Sequence, residues 1–264
     1  MNRCARRFLF VLSLVFCLPV AADELPFPTR FSWGKIVPTD ETVELHVKGV
    51  PEDRVVSFPR LNSPFRRIYL QSAPTQPIDF RPGVSQWQIK YPKSAKAPGK
   101  IIIETVGRPG MLIQPHVCES DEEGMFVLPA HHAVVHGTLL RYEPQPHKNV
   151  IGYWANEDDW CEWWIDVEDP LDYEVQILQG CGKGHGGSEV EISVGKSKLT
   201  FEVEDTGHFQ KFKARRLGFL EIRRPGRHSV KVRALHKAKG AVMDIRQIRL
   251  VPPEVARRSK KNAG

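Results

Sequence analysis

Residues 149–209 read NVIGYWANEDDWCEWWIDVEDPLDYEVQILQGCGKGHGGSEVEISVGKSKLTFEVEDTGHF, and their alternation decides the fold. Within them Trp160–Val167 has the period of a strand, so successive side chains point to opposite faces. Cys161, Trp163, Ile165 and Val167 make one apolar face that can cover a core. Trp160, Glu162, Trp164 and Asp166 fall on the other. Two tryptophans beside two carboxylates suit a sugar, whose C–H face stacks on an aromatic plane while its hydroxyls find acceptors. The alternative is that a second layer, a loop or a neighbouring unit covers these tryptophans.

Outward from this stretch the pattern stays β. The strands expected after it are Tyr173–Leu178, Glu189–Val194, Lys198–Val203, Phe219–Arg223, His228–Ala234 and Val242–Val251. Before it, short alternating runs lie at Thr42–Lys48, Arg54–Phe58, Arg67–Gln71, Gln86–Tyr91 and Lys100–Val106, separated by Pro, Gly and Asn turns. The fold class is all-β, with two domains: an antiparallel β-sandwich over 23–107 and a jelly roll over 125–253. Residues 108–124, rich in Pro, Gly and acidic residues, read as a linker. The basic stretch 254–264 lacks apolar periodicity and reads as a disordered tail.

Residues 1–22 carry a basic start, an apolar run from Phe8 to Leu18 and a small-residue exit at Val20 and Ala22. They read as a secretory signal peptide, which implies a secreted or periplasmic product. Phe16 before Cys17 departs from the small residue that a lipidation motif wants. The formal net charge of +7 includes Arg3, Arg6 and Arg7, so the chain from Asp23 carries +4, part of it in the C-terminal tail. Nothing in that balance points to nucleic acid. No later apolar run is long enough to cross a membrane. Cys118, Cys161 and Cys181 remain, an odd count; Cys161 either bridges to Cys181 or fills the core as a free thiol.

Several motifs tempt a chemical reading. His131, His132 and His136 suggest a metal, but on a strand positions 132 and 136 stand about 13 Å apart, too far for one ion. The glycine-rich run 180–188 lacks the Lys-Ser/Thr pair and following helix of a phosphate loop. It reads as a turn between strands that can line a sugar site with His185. Asp158 and Asp159 precede a strand and read as turn caps, with Asp159 near enough to join a site; Glu162 reads as a hydroxyl acceptor. No helix-rich stretch could build a catalytic α/β barrel, and no nucleophile triad is legible by spacing, so the chain reads as non-enzymatic.

Two family resemblances sharpen this. Trp33–Val37, Val43–Val47, the Pro51-Glu52-Asp53 turn, Val55–Pro59 and Lys100–Glu104 resemble the small C-terminal β-sandwich of α-L-fucosidases, over roughly 31–107. That domain is non-catalytic in the family, and the catalytic barrel has no counterpart here. Ile151-Gly152-Tyr153, Asp159-Trp160, Tyr173-Glu174-Val175, Thr206–Phe209, Pro225–His228 and Met243-Asp244-Ile245 resemble carbohydrate-binding jelly rolls of families six and thirty-five, which are galactose-binding-like. The resemblance implies that Tyr153, Trp154 or Trp160 clamps a sugar ring from one side and Phe209 from the other. It also shows two departures. Val242 stands where a sugar-binding asparagine is common, and Ala130-His131 replaces an Ala-Glu whose carboxylate helps hold a structural calcium through Asp244. The implied partner is a polysaccharide or glycoprotein glycan, held beside a separate glycoside hydrolase. The rival is a docking protein that partners a fucosidase-type enzyme without binding sugar. No cofactor is implied.

Overall fold

The computed structural model describes residues 29–110 and 115–261. The expected signal peptide and its exit lie outside these residues. Eight strands build the first unit: β1 (Arg30–Phe31), β2 (Gly34–Pro38), β3 (Thr42–Val47), β4 (Val55–Pro59), β5 (Phe65–Leu70), β6 (Asp79–Pro82), β7 (Gln86–Lys90) and β8 (Gly99–Thr105). One sheet runs β1-β2-β3-β8-β5 and the other β4-β7-β6, all antiparallel. Alternation explains the burial: Val43, Leu45 and Val47 point inward while Thr42, Glu44 and His46 do not. Trp87 is the centre of this core, with Phe58, Phe65 and Phe80 edge-on to its ring at 6.1, 6.2 and 5.3 Å.

The second unit holds β9 (Val117–Cys118), β10 (Phe126–Pro129), a 3-10 turn (Ala130–His132), β11 (Val134–His136), β12 (Arg141–Glu143) and β13 (Val150–Gly152). It continues with β14 (Trp160–Val167), β15 (Asp172–Cys181), β16 (Glu189–Val194), β17 (Ser197–Glu202), β18 (His208–Glu221), β19 (Gly226–His236) and β20 (Asp244–Val251). One sheet is β12-β13-β20-β15-β18 with β10 also on β20; the other is β11-β14-β19-β16-β17 with β9 also on β14. Cys161, Trp163, Ile165 and Val167 are all buried between them, on the face that alternation assigned to the core. All three described cysteines are free thiols, so the Cys161–Cys181 bridge is not formed.

The structure corrects two boundaries. Residues 117–118, expected in a linker, form β9 and pair in parallel with Trp164 and Ile165 of β14. The tail expected to be disordered forms α1 (Pro253–Lys261) instead. Proline at the first helical position and Glu254 in the first turn favour a helix there. Arg258 also reaches back to Glu123 at 3.1 Å.

One buried cluster runs through both units. Arg60, 3% exposed, joins them by donating to the carbonyls of Ala133 at 2.9 Å and His131 at 3.1 Å. Its guanidinium lies 5.0 Å from the Tyr142 ring, which packs 6.2 Å from Trp87. Burial lowers the Arg60 pKa to about 10. Among the described residues, no helix is long and apolar enough to cross a membrane.

Candidate functional site

The seven residues singled out from sequence fall into three separate places. Trp160 and Glu162 lie on the outer face of β14. There β11 and β19 flank β14 on its two sides, and the register sets His136 and Arg233 directly opposite Trp160. The His136 ring stacks on the indole at 3.8 Å and 12°, and the Arg233 guanidinium sits 4.4 Å over it. With one neighbour from each side, both planes of Trp160 are covered. The expectation that Trp160 offers a stacking plane to a sugar is therefore corrected. Glu162 is likewise engaged: one oxygen meets His136 Nε2 at 3.1 Å, and the other accepts from Ser229 Oγ.

Trp154 and Asp159 point inward from the two ends of the turn that leads into β14. Trp154 is fully buried and donates from Nε1 to the Asp159 carbonyl at 3.0 Å. The Asp159 carboxylate accepts from the N–H groups of Thr138 at 2.9 Å, Leu139 at 2.7 Å and Leu140 at 2.8 Å, and from Asn156 Nδ2 at 2.9 Å. Burial pushes its pKa up, but these four donors together outweigh it and hold the carboxyl below its ordinary value. Gly137 is required: its φ is +122°, and a Cβ there would lie 2.0 Å from Asp159 Oδ1. Neither Trp154 nor Asp159 faces solvent, so their assignment to a sugar site is corrected. With Asp159 and Glu162 both engaged, these two carboxylates do not stand ready as a glycosidase pair.

Tyr153, His185 and Phe209 are the three that the loops do bring towards one end of the jelly roll. Tyr153 adopts φ +58°, a left-handed backbone that a tyrosine rarely takes, and the reversal turns its ring out while Trp154 turns in. It is 51% exposed, and the Arg141 guanidinium lies 3.8 Å from one side of its ring. Phe209, second residue of the long strand β18, lies against the bare backbone of Gly182, where a Cβ would come within 2.5 Å of the ring. His185 sits 5.4 Å from Phe209, its Nδ1 accepting from Ala241 N–H at 3.3 Å. Asp205 ties the two loops, accepting from Gly184 N–H at 2.5 Å and Gly207 N–H at 2.7 Å.

Asp244, a calcium ligand in the family resemblance, lies buried at this end, first residue of β20. The Gln210 amide, next to Phe209, donates to it at 3.4 Å. Gly152, next to Tyr153, approaches it so closely that a Cβ would meet Oδ1 at 2.7 Å. The neighbours of both aromatics thus converge on one carboxyl. Burial, and then repulsion from Glu143, raise the Asp244 pKa to about 7, against weaker opposing effects of Lys148 and Gln210. Val242, in the position where an asparagine would reach a sugar, is fully buried and donates its N–H to the Trp154 carbonyl at 2.9 Å.

The profile of a domain family of unknown function, DUF5077, matches residues 142–254. No curated protein matches the chain. Among solved structures the chain is similar to an α-L-fucosidase from Vibrio sp. strain EJY3, at 16% identity over 84% of this chain with a TM-score of 0.35. The chain spans 40% of that fucosidase's length. It is also similar to the C-terminal family 6 carbohydrate-binding module of a marine laminarinase from Zobellia galactanivorans, at 13% identity over 48% of this chain and 98% of the module, with a TM-score of 0.38. A family 35 carbohydrate-binding module from Clostridium thermocellum matches at 12% identity, 48% and 98% coverage and a TM-score of 0.38.

Proposed function

We propose that the loop end of the jelly roll binds a glycan, with Tyr153 as the stacking plane and Phe209 and His185 as its far rim. The observation that carries this is the exposed Tyr153 ring, held out by a strained backbone above a buried carboxyl that its neighbours share with Phe209. Strain at a non-glycine residue persists where surrounding structure holds it, and such positions concentrate at binding sites. A tyrosine that keeps one side of its ring against Arg141 can give the other to a sugar, as aromatic anchors do. The chain in this reading is exported and non-catalytic, and it holds a polysaccharide or glycoprotein glycan beside a separate glycoside hydrolase.

The test is calorimetric titration of the full chain against a panel of polysaccharides and glycoprotein glycans. Tyr153→Ala should weaken binding by roughly 1–3 kcal/mol, the range for a desolvated aromatic contact, while leaving the melting temperature unchanged or higher. Unchanged affinity in Tyr153→Ala and in Phe209→Ala, or no binding across the panel, would remove the proposal.

A further inference from the structure

The short strand β9 and the turn beside it carry a second chemistry. His116 precedes β9 and Cys118 ends it, a spacing of two that sets both side chains on one face of extended backbone. From the other side comes His132, the last residue of the 3-10 turn. The rings of His116 and His132 lie 3.6 Å apart between centroids, and Cys118 Sγ is 3.7 Å from His132 Nδ1. Counting one ligand atom from each residue, all three lie within 4.8 Å of one another. Around a tetrahedral zinc ion, with nitrogen at about 2.0 Å and sulfur at about 2.3 Å, ligand atoms stand roughly 3.3–3.8 Å apart. The Cys118–His132 separation already has that value; the His116 ring, now stacked on His132, would have to splay outward to roughly 5 Å between centroids to aim its nitrogen at the same ion, and its exposure leaves it room to do so.

We propose that His116, Cys118 and His132 form a binding site for a zinc-class transition-metal ion, with a fourth position open to water or an exogenous ligand. A thiolate with two imidazoles selects borderline-soft ions over calcium or magnesium, which require oxygen donors. Cys118 is buried and His116 is exposed, so the cluster has a closed floor and an open mouth through which an ion can enter. On coordination the Cys118 thiol releases its proton to solvent and the two imidazoles bind through neutral nitrogens. The site would join the segment before β10 to the turn after it. Arg60 grips that same turn through the carbonyls of His131 and Ala133, so the ion would staple the junction of the two units. Among the described residues this is the one such three-ligand group of His, Cys, Asp and Glu, and Asp244 is not part of it.

The experiment titrates metal-free full-length protein with Co2+ and then displaces it with Zn2+. Saturable binding of one ion should produce a thiolate-to-cobalt charge-transfer band, and Zn2+ should abolish that band and raise the melting temperature. Cys118→Ser should eliminate the band. His116→Ala, an exposed position whose loss leaves the core untouched, should weaken Zn2+ binding by more than the roughly 10–100-fold typical of losing an outer partner. His46→Ala, on a histidine of β3 in the first unit held by Glu44 at 2.6 Å, serves as the control and should leave Zn2+ binding unchanged. The proposal is overturned if wild-type protein shows no charge-transfer band. It is equally overturned if Cys118→Ser and His116→Ala both bind Zn2+ as wild type does.

Discussion

Replacing Asp244 by asparagine should make the protein more stable at neutral and alkaline pH, and the size of the gain follows from the burial of this carboxyl. The side chain is 4% exposed on average over the residue and its pKa is raised to about 7, against about 3.9 in an unfolded chain. Between those two values the folded protein holds a proton that the unfolded chain has released, so stability falls as pH rises through that window. The protonated carboxyl contributes fully below about pH 4 and the loss is complete a little above pH 7. At 1.36 kcal/mol per pH unit, burying this carboxyl disfavours folding by on the order of 3 kcal/mol at pH 6, where the folded protein must hold its proton, and 4 kcal/mol at pH 8, where the group ionises in place. Asparagine has the shape of the protonated acid and no charge, and its carbonyl can still accept from Gln210. Urea unfolding of both proteins at each pH, taken as a difference, cancels the titration of every other group. The difference should be near zero at pH 4 and grow to about 4 kcal/mol in favour of Asp244→Asn at pH 8. A difference that stays flat from pH 4 to 8, or a variant less stable at pH 8, would refute the account of Asp244 as a buried, mostly neutral acid.

Arg60→Ala removes two charge-assisted bonds and leaves the carbonyls of His131 and Ala133 without their donor. It should cost about 3–5 kcal/mol in urea unfolding; a loss under about 0.5 kcal/mol, the scale of a neutral surface change, would show that the junction does not depend on it. Trp160→Ala should lose the His136 stack and the Arg233 cation–π contact, about 1–2 kcal/mol, and leave glycan affinity unchanged. Trp163→Ala, on the fully buried face with its Nε1 donating to Pro129 at 2.7 Å, should cost about 3–5 kcal/mol. Equal melting temperatures for these two tryptophan variants would contradict the assignment of the β14 faces.

Alternation made the β architecture legible, because inward residues such as Val43, Leu45 and Val47 alternate cleanly with Thr42, Glu44 and His46. It also identified an outer face containing Trp160. What it could not give was register: His136 lies before β14 in the chain and Arg233 far beyond it, and only strand pairing brings both onto the indole. The Trp154 error has a local cause. A left-handed residue at Tyr153 breaks the alternation, so the exposed and buried members of the Tyr-Trp pair cannot be assigned by counting. An available signal for Asp159 was Asn156 three residues before it, a polar turn whose side chains satisfy backbone donors. For β9 the signal was His116-x-Cys118, with two ligand types at strand spacing, but the acidic residues that follow made the segment read as linker. Only the end of β18 is legible in the sequence, because His208–Glu221 carries basic residues on both faces and shifts register opposite Val175 and Gln176.

The grip of Arg60 has an evolutionary consequence. The guanidinium holds main-chain carbonyls of the turn at His131 and Ala133 and makes no hydrogen bond to their side chains. The two bonds therefore do not depend on those side chains, whereas they depend wholly on Arg60; only the core around fully buried Ala133 restricts that position to a small residue. Sequences sharing this architecture should keep an arginine at this position and small residues at Ala130 and Ala133, while the half-buried positions between them drift, acquiring or discarding ligands such as His132. The joint would then persist as a fixed hinge-pin on which new binding chemistry is tried.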